Sequence, residues 1–219
     1  NADSQLLADG LITERQRYRL RSFTRFTLGR NETRESLQYA LQLPFDANPR
    51  TLQFAEDLRK RTPGAQTRAG DAALIEAVLQ RFRTGGFRYT LEPKGLGRHS
   101  VDEFLFDTLE GYCEHYASAF VTLMRALDIP ARVVTGYQGG ELNPVDGFVT
   151  VRQSDAHAWA EVWLPQRGWV RIDPTAMVAP DRIERGARER ERQRAGAGAL
   201  SRVAAFTWLR EALSSVRFN

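Results

Sequence analysis

The sequence contains few of the residues that hold small domains together through covalent bonds or metal ions. Its 219 residues include one cysteine and three histidines. An internal disulfide needs two thiols, and a structural zinc site usually needs four cysteine or histidine ligands. The composition therefore excludes an internal disulfide and argues against a zinc site.

Long apolar runs are also missing. No stretch approaches the roughly 20 consecutive apolar residues that span a bilayer, and the first residues do not resemble a signal peptide. The sequence therefore predicts no membrane-spanning or targeting segment within this chain. With 42% hydrophobic and 26% charged residues, it has the composition of a globular protein with a buried core.

Lysine is scarce although the chain is basic. Lys60 and Lys94 are the two lysines among 31 basic residues, so the net charge of +4 comes mainly from arginine. Acidic residues are interspersed with the arginines along most of the chain. Binding to nucleic acid needs basic residues clustered on one face, and we therefore expect no nucleic-acid partner.

Hydrophobic patterns divide the chain into three segments. Residues 1–70 combine an alternating, strand-like pattern over Arg15–Leu28 with a helix that Asn48 caps and that has Pro49 in its first turn. Residues 71–180 hold the other predicted helices and strands and form the predicted catalytic core. Residues 181–219 form an Arg-rich linker and an amphipathic helix, for which docking on the core and approach to a membrane both stay open. The apolar face of this helix comprises Val203, Phe206, Leu209, Leu213 and Val216.

The cysteine stands at the beginning of a predicted helix. Apolar residues recur at helical spacing from Tyr116 to Leu127, and Pro130 closes the pattern. The N-terminus of a helix presents free N–H groups and the positive end of the helix dipole, which together stabilise a thiolate. The turn formed by Gly111 and Tyr112 allows the backbone N–H of Cys113 to face a bound carbonyl oxygen, as in an oxyanion hole.

Two further residues complete a candidate site. His157 lies in a predicted strand, Ala156–Leu164, with alanine and aliphatic residues on one face and His157 and Trp159 on the other. Asp173 follows the next strand, where its carboxylate can orient the imidazole. The order of Cys113, His157 and Asp173 on a helix and two strands predicts a nucleophile, an acid–base group and an orienting carboxylate.

Each of these residues alone has a simpler interpretation. A lone cysteine is more often an inert core residue than a nucleophile. An isolated histidine is more often structural, and Asp173 can be a turn former before Pro174. The three together favour catalysis, while a catalytically silent binding module stays as an alternative.

Three separated motifs occur in order along the chain: GYCEHYASAF at 111–120, IPARVVTGY at 129–137, and DAHAWAEVW at 155–163 with GWVRIDPT at 168–175. These motifs resemble the transglutaminase-like superfamily. The segments QGGELNP at 138–144 and APDRIER at 179–185 make the chain most similar to the TgpA-type bacterial inner-membrane proteins within it. One departure is Asp128, which stands where glycine is expected after the cysteine helix, and it predicts a small local cost in a left-handed conformation.

The resemblance implies both a fold and a site. The fold is α+β, a papain-like or transglutaminase-like core with the catalytic helix packed on an antiparallel sheet. Cys113 would be the nucleophile and oxyanion-hole donor, His157 the general base and acid, and Asp173 the orienting carboxylate. Tyr112 and Trp159 are candidate substrate-pocket residues.

The resemblance also implies an activity and a location. The activity is transglutaminase-type acyl transfer from a protein or peptide glutamine carboxamide to an amine through a thioester, with no cofactor and no metal. With water as the acceptor, the same residues would make a cysteine hydrolase, that is, a deamidase, amidase or protease. The expected partners are protein or peptide substrates with glutamine, and amine acceptors. The expected location is the periplasmic domain of an inner-membrane protein, anchored outside this fragment.

Overall fold

The computed structural model describes residues 26–65 and 67–180, together with positions 10, 11, 13, 14, 21 and 23. Most of the strand predicted over Arg15–Leu28 and all of the segment 181–219 lie outside the described residues. Near the beginning of the described part, Leu28 makes a single antiparallel bridge with Trp169.

Helices occupy most of the first half of the described chain. A short π-helical turn, Phe104–Thr108, continues directly from the helix Ser100–Glu103. Short 3-10 turns cover Arg68–Gly70, Gln153–Asp155 and Pro174–Met177. The helices are α1 (Arg34–Tyr39), α2 (Pro49–Arg61), α3 (Asp71–Thr84), α4 (Ser100–Glu103) and α5 (Cys113–Ala126).

The main sheet has three antiparallel strands, β3 (Ala131–Tyr137), β6 (Ala156–Leu164) and β7 (Gly168–Ile172), with β6 in the centre. The central strand β6 has the bounds that its alternating pattern predicts. Two short pairs accompany the sheet. They are the parallel pair β1 (Arg88–Tyr89) and β2 (Glu110–Gly111), and the antiparallel pair β4 (Glu141–Leu142) and β5 (Val149–Thr150).

The core lies between α5 and the main sheet. Ala158, Ala160 and Val162 on β6 are buried, and α5 packs directly on this strand. Small side chains at the first two of these positions let the helix backbone come close to the sheet. Elsewhere on α5, Tyr116 is fully buried in a cluster of aromatic rings that includes Phe82, Phe87 and Phe104. The α+β fold with the cysteine helix on an antiparallel sheet is therefore confirmed.

Helix α5 ends in a Schellman motif. The backbone N–H of Ile129 donates to the carbonyl of Met124 at 2.9 Å, and that of Asp128 donates to Arg125 at 3.0 Å. Asp128 has a φ of 55°, in the left-handed region that favours glycine. The predicted local cost at Asp128 thus has a structural basis.

Two helix N-termini exchange their caps. Asn48 precedes α2, but its side chain does not cap that helix; instead its Oδ1 accepts from the backbone N–H of Val101 at 3.0 Å and of Asp102 at 3.3 Å. The carboxylate of Asp102 in turn accepts from the N–H of Arg50 at 3.0 Å and of Thr51 at 2.7 Å. This exchange fixes α2 against α4, the helix that leads into the cysteine loop.

Candidate active site

The chain reaches Cys113 through a tightly constrained loop. Leu109, with a φ of 53°, ends the π-helical turn, and β2 then leads to an extended Tyr112. Gly111 is required at this point because an added Cβ would lie 2.7 Å from Cγ of His115. The loop therefore sets Cys113 as the first residue of α5, as predicted.

The Cys113 thiol sits among hydrogen-bond donors. Burial raises its pKa, but hydrogen bonds from the His157 side chain and from the backbone N–H groups of Ala158 and Glu114, together with the charge of His157, outweigh burial and lower the pKa overall. The side chain is partly exposed. The cysteine is thus accessible and has increased thiolate character.

His157 is buried beside Cys113. Its Nε2 lies 2.7 Å from Oδ2 of Asp173, so Nδ1 is the ring nitrogen left to face the thiol. Burial lowers the pKa of His157, but hydrogen bonds and charge interactions with Asp173 and Cys113 raise it to about 9. A lowered thiol pKa beside a raised imidazole pKa favours a thiolate–imidazolium pair at neutral pH.

The carboxylate of Asp173 is held from two sides. Its Oδ1 accepts from the backbone N–H of Thr175 at 3.2 Å. Its Oδ2, which binds His157, also lies 3.5 Å from Nη2 of Arg171. Asp173 is 8% exposed, so its position is defined by these partners rather than by solvent. The structure therefore joins Asp173 to His157 by a hydrogen bond, and His157 in turn interacts with the Cys113 thiol.

Trp159, a candidate substrate-pocket residue, lies beside His157 in the sheet. Its ring stacks beside that of His157, with centroids 6.3 Å apart and an interplanar angle of 25°. The guanidinium of Arg171 lies 4.5 Å from the Trp159 ring on the same face of the sheet. Gly136 makes room for this ring, because an added Cβ would lie 2.8 Å from Cη2 of Trp159.

The backbone N–H of Cys113, the predicted oxyanion donor, lies at the N-terminus of α5. Cys113 is the first residue of α5, where a backbone N–H has no acceptor within its own helix. In the part of the chain that the structure describes, this N–H has no hydrogen-bond partner. It is therefore free to bind an oxygen atom of a substrate.

Three contributors to the site were missed by reasoning from the sequence. The backbone N–H of Ala158 carries no side-chain signal, so only the fold could identify it. Arg171 belongs to the motif GWVRIDPT. It stands two residues before Asp173, and residues two apart in an extended chain lie on the same face of the sheet. The backbone N–H of Glu114 also acts on the thiol. Its position directly after Cys113 is the feature of the sequence that could have identified it.

Two further features of the described residues bear on the site. They include no group of histidine, cysteine, aspartate and glutamate side chains arranged to hold a metal ion. Among the helices of these residues, none combines the length and apolar character needed to cross a bilayer.

A known protein family and several known proteins match this chain. Residues 57–174, more than half of the chain, match the Transglutaminase-like superfamily, and this range contains Cys113, His157 and Asp173. A protein-glutamine gamma-glutamyltransferase of Pseudomonas aeruginosa is 46% identical over 190 residues, which cover 84% of this chain and 28% of that protein. The Bacillus subtilis protein YebA is 38% identical over 108 residues, which cover 46% of this chain and 15% of that protein.

Solved structures show the same relationship. The crystal structure of the periplasmic domain of TgpA from Pseudomonas aeruginosa is 48% identical to this chain and superimposes with a TM-score of 0.66. The match covers 73% of this chain and 54% of that domain. A second structure of the same domain, bound to ethylmercury, gives a TM-score of 0.65. The resemblance to TgpA-type proteins that the motifs indicate is confirmed.

Proposed function

Because the chain belongs to the transglutaminase-like superfamily, we propose that it transfers the acyl group of a glutamine side chain to an amine through a thioester on Cys113. One observation carries this proposal: at the N-terminus of α5, His157 is hydrogen-bonded to Asp173 and lowers the pKa of the Cys113 thiol. In this proposal Cys113 is the nucleophile, His157 is the acid and base, and Asp173 orients the imidazole.

In the first half of the reaction, the Cys113 thiolate attacks the carbon of the carboxamide. The C–N bond breaks while the His157 imidazolium gives its proton to the departing nitrogen, which leaves as ammonia. A thioester and a neutral imidazole remain. The raised pKa of His157, about 9, keeps this proton available at neutral pH until the leaving group needs it.

In the second half, a neutral amine attacks the thioester carbon. The neutral imidazole of His157 takes one proton from the amine nitrogen, and the C–S bond breaks to release the amide. This step restores the thiolate and the imidazolium. Water can attack in the same way, and the enzyme then acts as a deamidase.

The backbone N–H of Cys113 is the proposed donor to the oxyanion that forms in both halves. It points out of the helix N-terminus, where the helix dipole also favours negative charge. Loss of a single oxyanion-hole donor typically costs about 100- to 1000-fold in kcat. This donor cannot be removed by changing a side chain, and the loop geometry set by Gly111 therefore carries the function.

The cellular setting comes from the matching proteins. The structure that matches best among those described above is a periplasmic domain, which supports a periplasmic location and a membrane-anchored parent protein. The name of the Pseudomonas relative supports protein glutamine residues as acyl donors. Since the chain spans 28% of that relative's length, the activity and partners of the whole protein are part of the proposal.

The decisive experiment follows the mass of a glutamine peptide with and without a primary amine. Transfer replaces ammonia by the amine, deamidation adds about one dalton, and proteolysis cuts the peptide, so each acceptor leaves a different product. We expect transfer when the amine is present. Cleavage of the peptide chain without ammonia release would instead make the protein a protease.

Variants of the three site residues test their roles. Cys113→Ala should abolish thioester formation, and His157→Ala should lower turnover by several orders of magnitude, because triad members act as a unit. Asp173→Asn should retain more activity than Cys113→Ala, since it misorients the imidazole without removing the nucleophile. Transfer that persists in Cys113→Ala would exclude this cysteine as the nucleophile.

A further inference from the structure

A cavity of about 280 Å³ adjoins the cysteine loop. Both sequence neighbours of the nucleophile, Tyr112 and Glu114, line it. The side chains of Leu96, Val101 and Phe104 give the cavity apolar walls. Pockets for small ligands usually measure roughly 300–1000 Å³, so this cavity has the size for one long side chain rather than a large ligand.

The lining of this cavity carries one negative charge. Glu114 is exposed at its mouth, and among the lining residues it is the carboxylate. His115 also lines the cavity, but burial lowers its pKa despite the opposing charge of Glu114, so the imidazole is neutral at neutral pH. The charge of Glu114 raises the pKa of the Tyr112 hydroxyl, which lines the same cavity.

We propose that this cavity binds the side chain of an arginine or lysine that flanks the reactive glutamine of the substrate. The proposal rests on the proposed function, because it assumes that a glutamine carboxamide reaches Cys113. It adds a specificity site, with Glu114 as the residue that selects a basic neighbour.

The position of the cavity suits this role. Consecutive Cα atoms lie about 3.8 Å apart, so Glu114 begins one residue from the nucleophile. When the glutamine carboxamide is at the Cys113 thiol, the substrate backbone lies one glutamine side-chain length away from that thiol. A neighbouring substrate side chain of similar length can then turn back toward Glu114.

The chemistry of the lining suits the same occupant. Arginine and lysine have an apolar stem and a charged end. The stem would lie against Leu96, Val101 and Phe104, and the charged end would meet the Glu114 carboxylate at the mouth. The ring of Tyr112 offers a face for a cation at the same place. A neutral or acidic side chain would lack one or both of these contacts.

The test compares glutamine peptides that differ at one flanking position. Arginine and citrulline have almost the same shape, but citrulline is neutral, so the pair isolates the charge. Each residue is placed in turn at four positions, the two before and the two after the glutamine. The kcat/KM of each peptide is measured from ammonia release with the unmodified protein. We expect the arginine peptide to be favoured about five-fold at one position, as for an exposed ion pair. A ratio near one at all four positions would overturn the proposal.

Variants then assign the preference to Glu114. In Glu114→Gln the arginine-to-citrulline ratio should fall to about one, and in Glu114→Lys a glutamate peptide should be preferred over the arginine peptide. Glu92→Gln is the matched control, because it removes an exposed carboxylate that does not line the cavity, and it should keep the ratio. If Glu92→Gln lowers the ratio as much as Glu114→Gln, overall charge and not this cavity sets the preference.

Two outcomes separate this inference from the proposed function. If no glutamine peptide releases ammonia, the proposed function itself fails. If ammonia is released and Glu114→Gln alters only the KM of the acceptor amine, the proposed function stands while the cavity serves the acceptor, which overturns the inference.

Discussion

At the scale of single residues, the Cys113–His157 pair sets the pH range of activity. The thiolate is lost when pH falls below the lowered pKa of Cys113, and the imidazolium is lost when pH rises above about 9. We therefore expect the rate of ammonia release to be bell-shaped, with its alkaline limb near pH 9. The pKa values read from such a profile belong to the pair as a whole.

The same pair can be followed without a substrate. Alkylation of Cys113 by iodoacetamide reports the thiolate fraction at each pH. In His157→Gln the thiol loses its hydrogen bond and the neighbouring charge, and its titration should move up toward about 8.5, the usual value for cysteine. An unchanged alkylation profile in His157→Gln would show that the histidine does not activate the thiol.

Arg171 is a positioning residue, because it contacts Asp173 and Trp159. It lies 3.5 Å from Oδ2 of Asp173 and above the Trp159 ring, but its side chain is 47% exposed. Arg171→Met should lower kcat by about three- to ten-fold with little change in KM. Removing this positive charge should also favour the imidazolium, so the alkaline limb of the pH profile should move upward.

A purely structural role for Arg171 gives a different result. Loss of stability without any movement of the alkaline limb would contradict a positioning role. Arg171→Lys is the control, because it keeps the charge and loses the planar group that stacks on Trp159. It should keep the limb near its original pH while losing part of kcat.

At the scale of the elements, the exchange of caps between α2 and α4 holds the segment that leads to the nucleophile. Asp102 is 3% exposed and accepts hydrogen bonds from the backbone of Arg50 and Thr51. Asp102→Asn should lower the free energy of unfolding by about 1–3 kcal/mol, because an amide NH₂ replaces one of the two acceptor oxygens and leaves a backbone donor unpaired. Urea unfolding measures this difference.

A nearby exposed carboxylate provides the comparison. Asp107 pairs with Nη1 of Arg50 at 2.8 Å, and its side chain is 49% exposed. Asp107→Asn should therefore cost less than about 1 kcal/mol. Equal losses in the two variants would mean that the cap exchange contributes no more than a surface ion pair.

At the scale of the whole molecule, a buried carboxylate links stability to pH. Burial raises the pKa of Asp71 from 3.8 to about 6, although the charges of Arg68 and Arg59 oppose this. Its Oδ2 is buried without a hydrogen-bond partner and lies 3.8 Å from Arg68. Because the folded pKa is the higher one, this group favours folding at low pH and loses that contribution as pH rises through about 6.

The corresponding variant is expected to stabilise the protein. Asp71→Asn removes the buried charge, so at pH 7.5 its free energy of unfolding should exceed that of the unmodified chain by about 1–3 kcal/mol. The gap should close as pH falls below about 4, where the carboxyl is protonated in the folded and unfolded states. A gap that is independent of pH would indicate that helix propensity or packing, and not the charge, is responsible.

The elements that follow a local pattern of residues can be predicted from the sequence. The apolar spacing after Cys113 predicts α5, and the alternation over Ala156–Leu164 predicts β6, because each side chain's position depends on its place in the repeat. The order of Cys113, His157 and Asp173 indicates the site, because the order and spacing of motifs can be read along the chain without knowledge of the fold. The division of the chain at residues 70 and 180 remains a prediction.

Tertiary structure alone decided which groups complete the site and its supports. The cap that α2 receives comes from Asp102, while Asn48, whose position before Pro49 predicts that cap, serves α4 instead. The sulfur of Cys113 receives a hydrogen bond from the backbone N–H of Ala158, a group that every residue except proline possesses. Such contacts join positions far apart in the chain, and no local repeat encodes them, because folding brings these groups together through burial of the core.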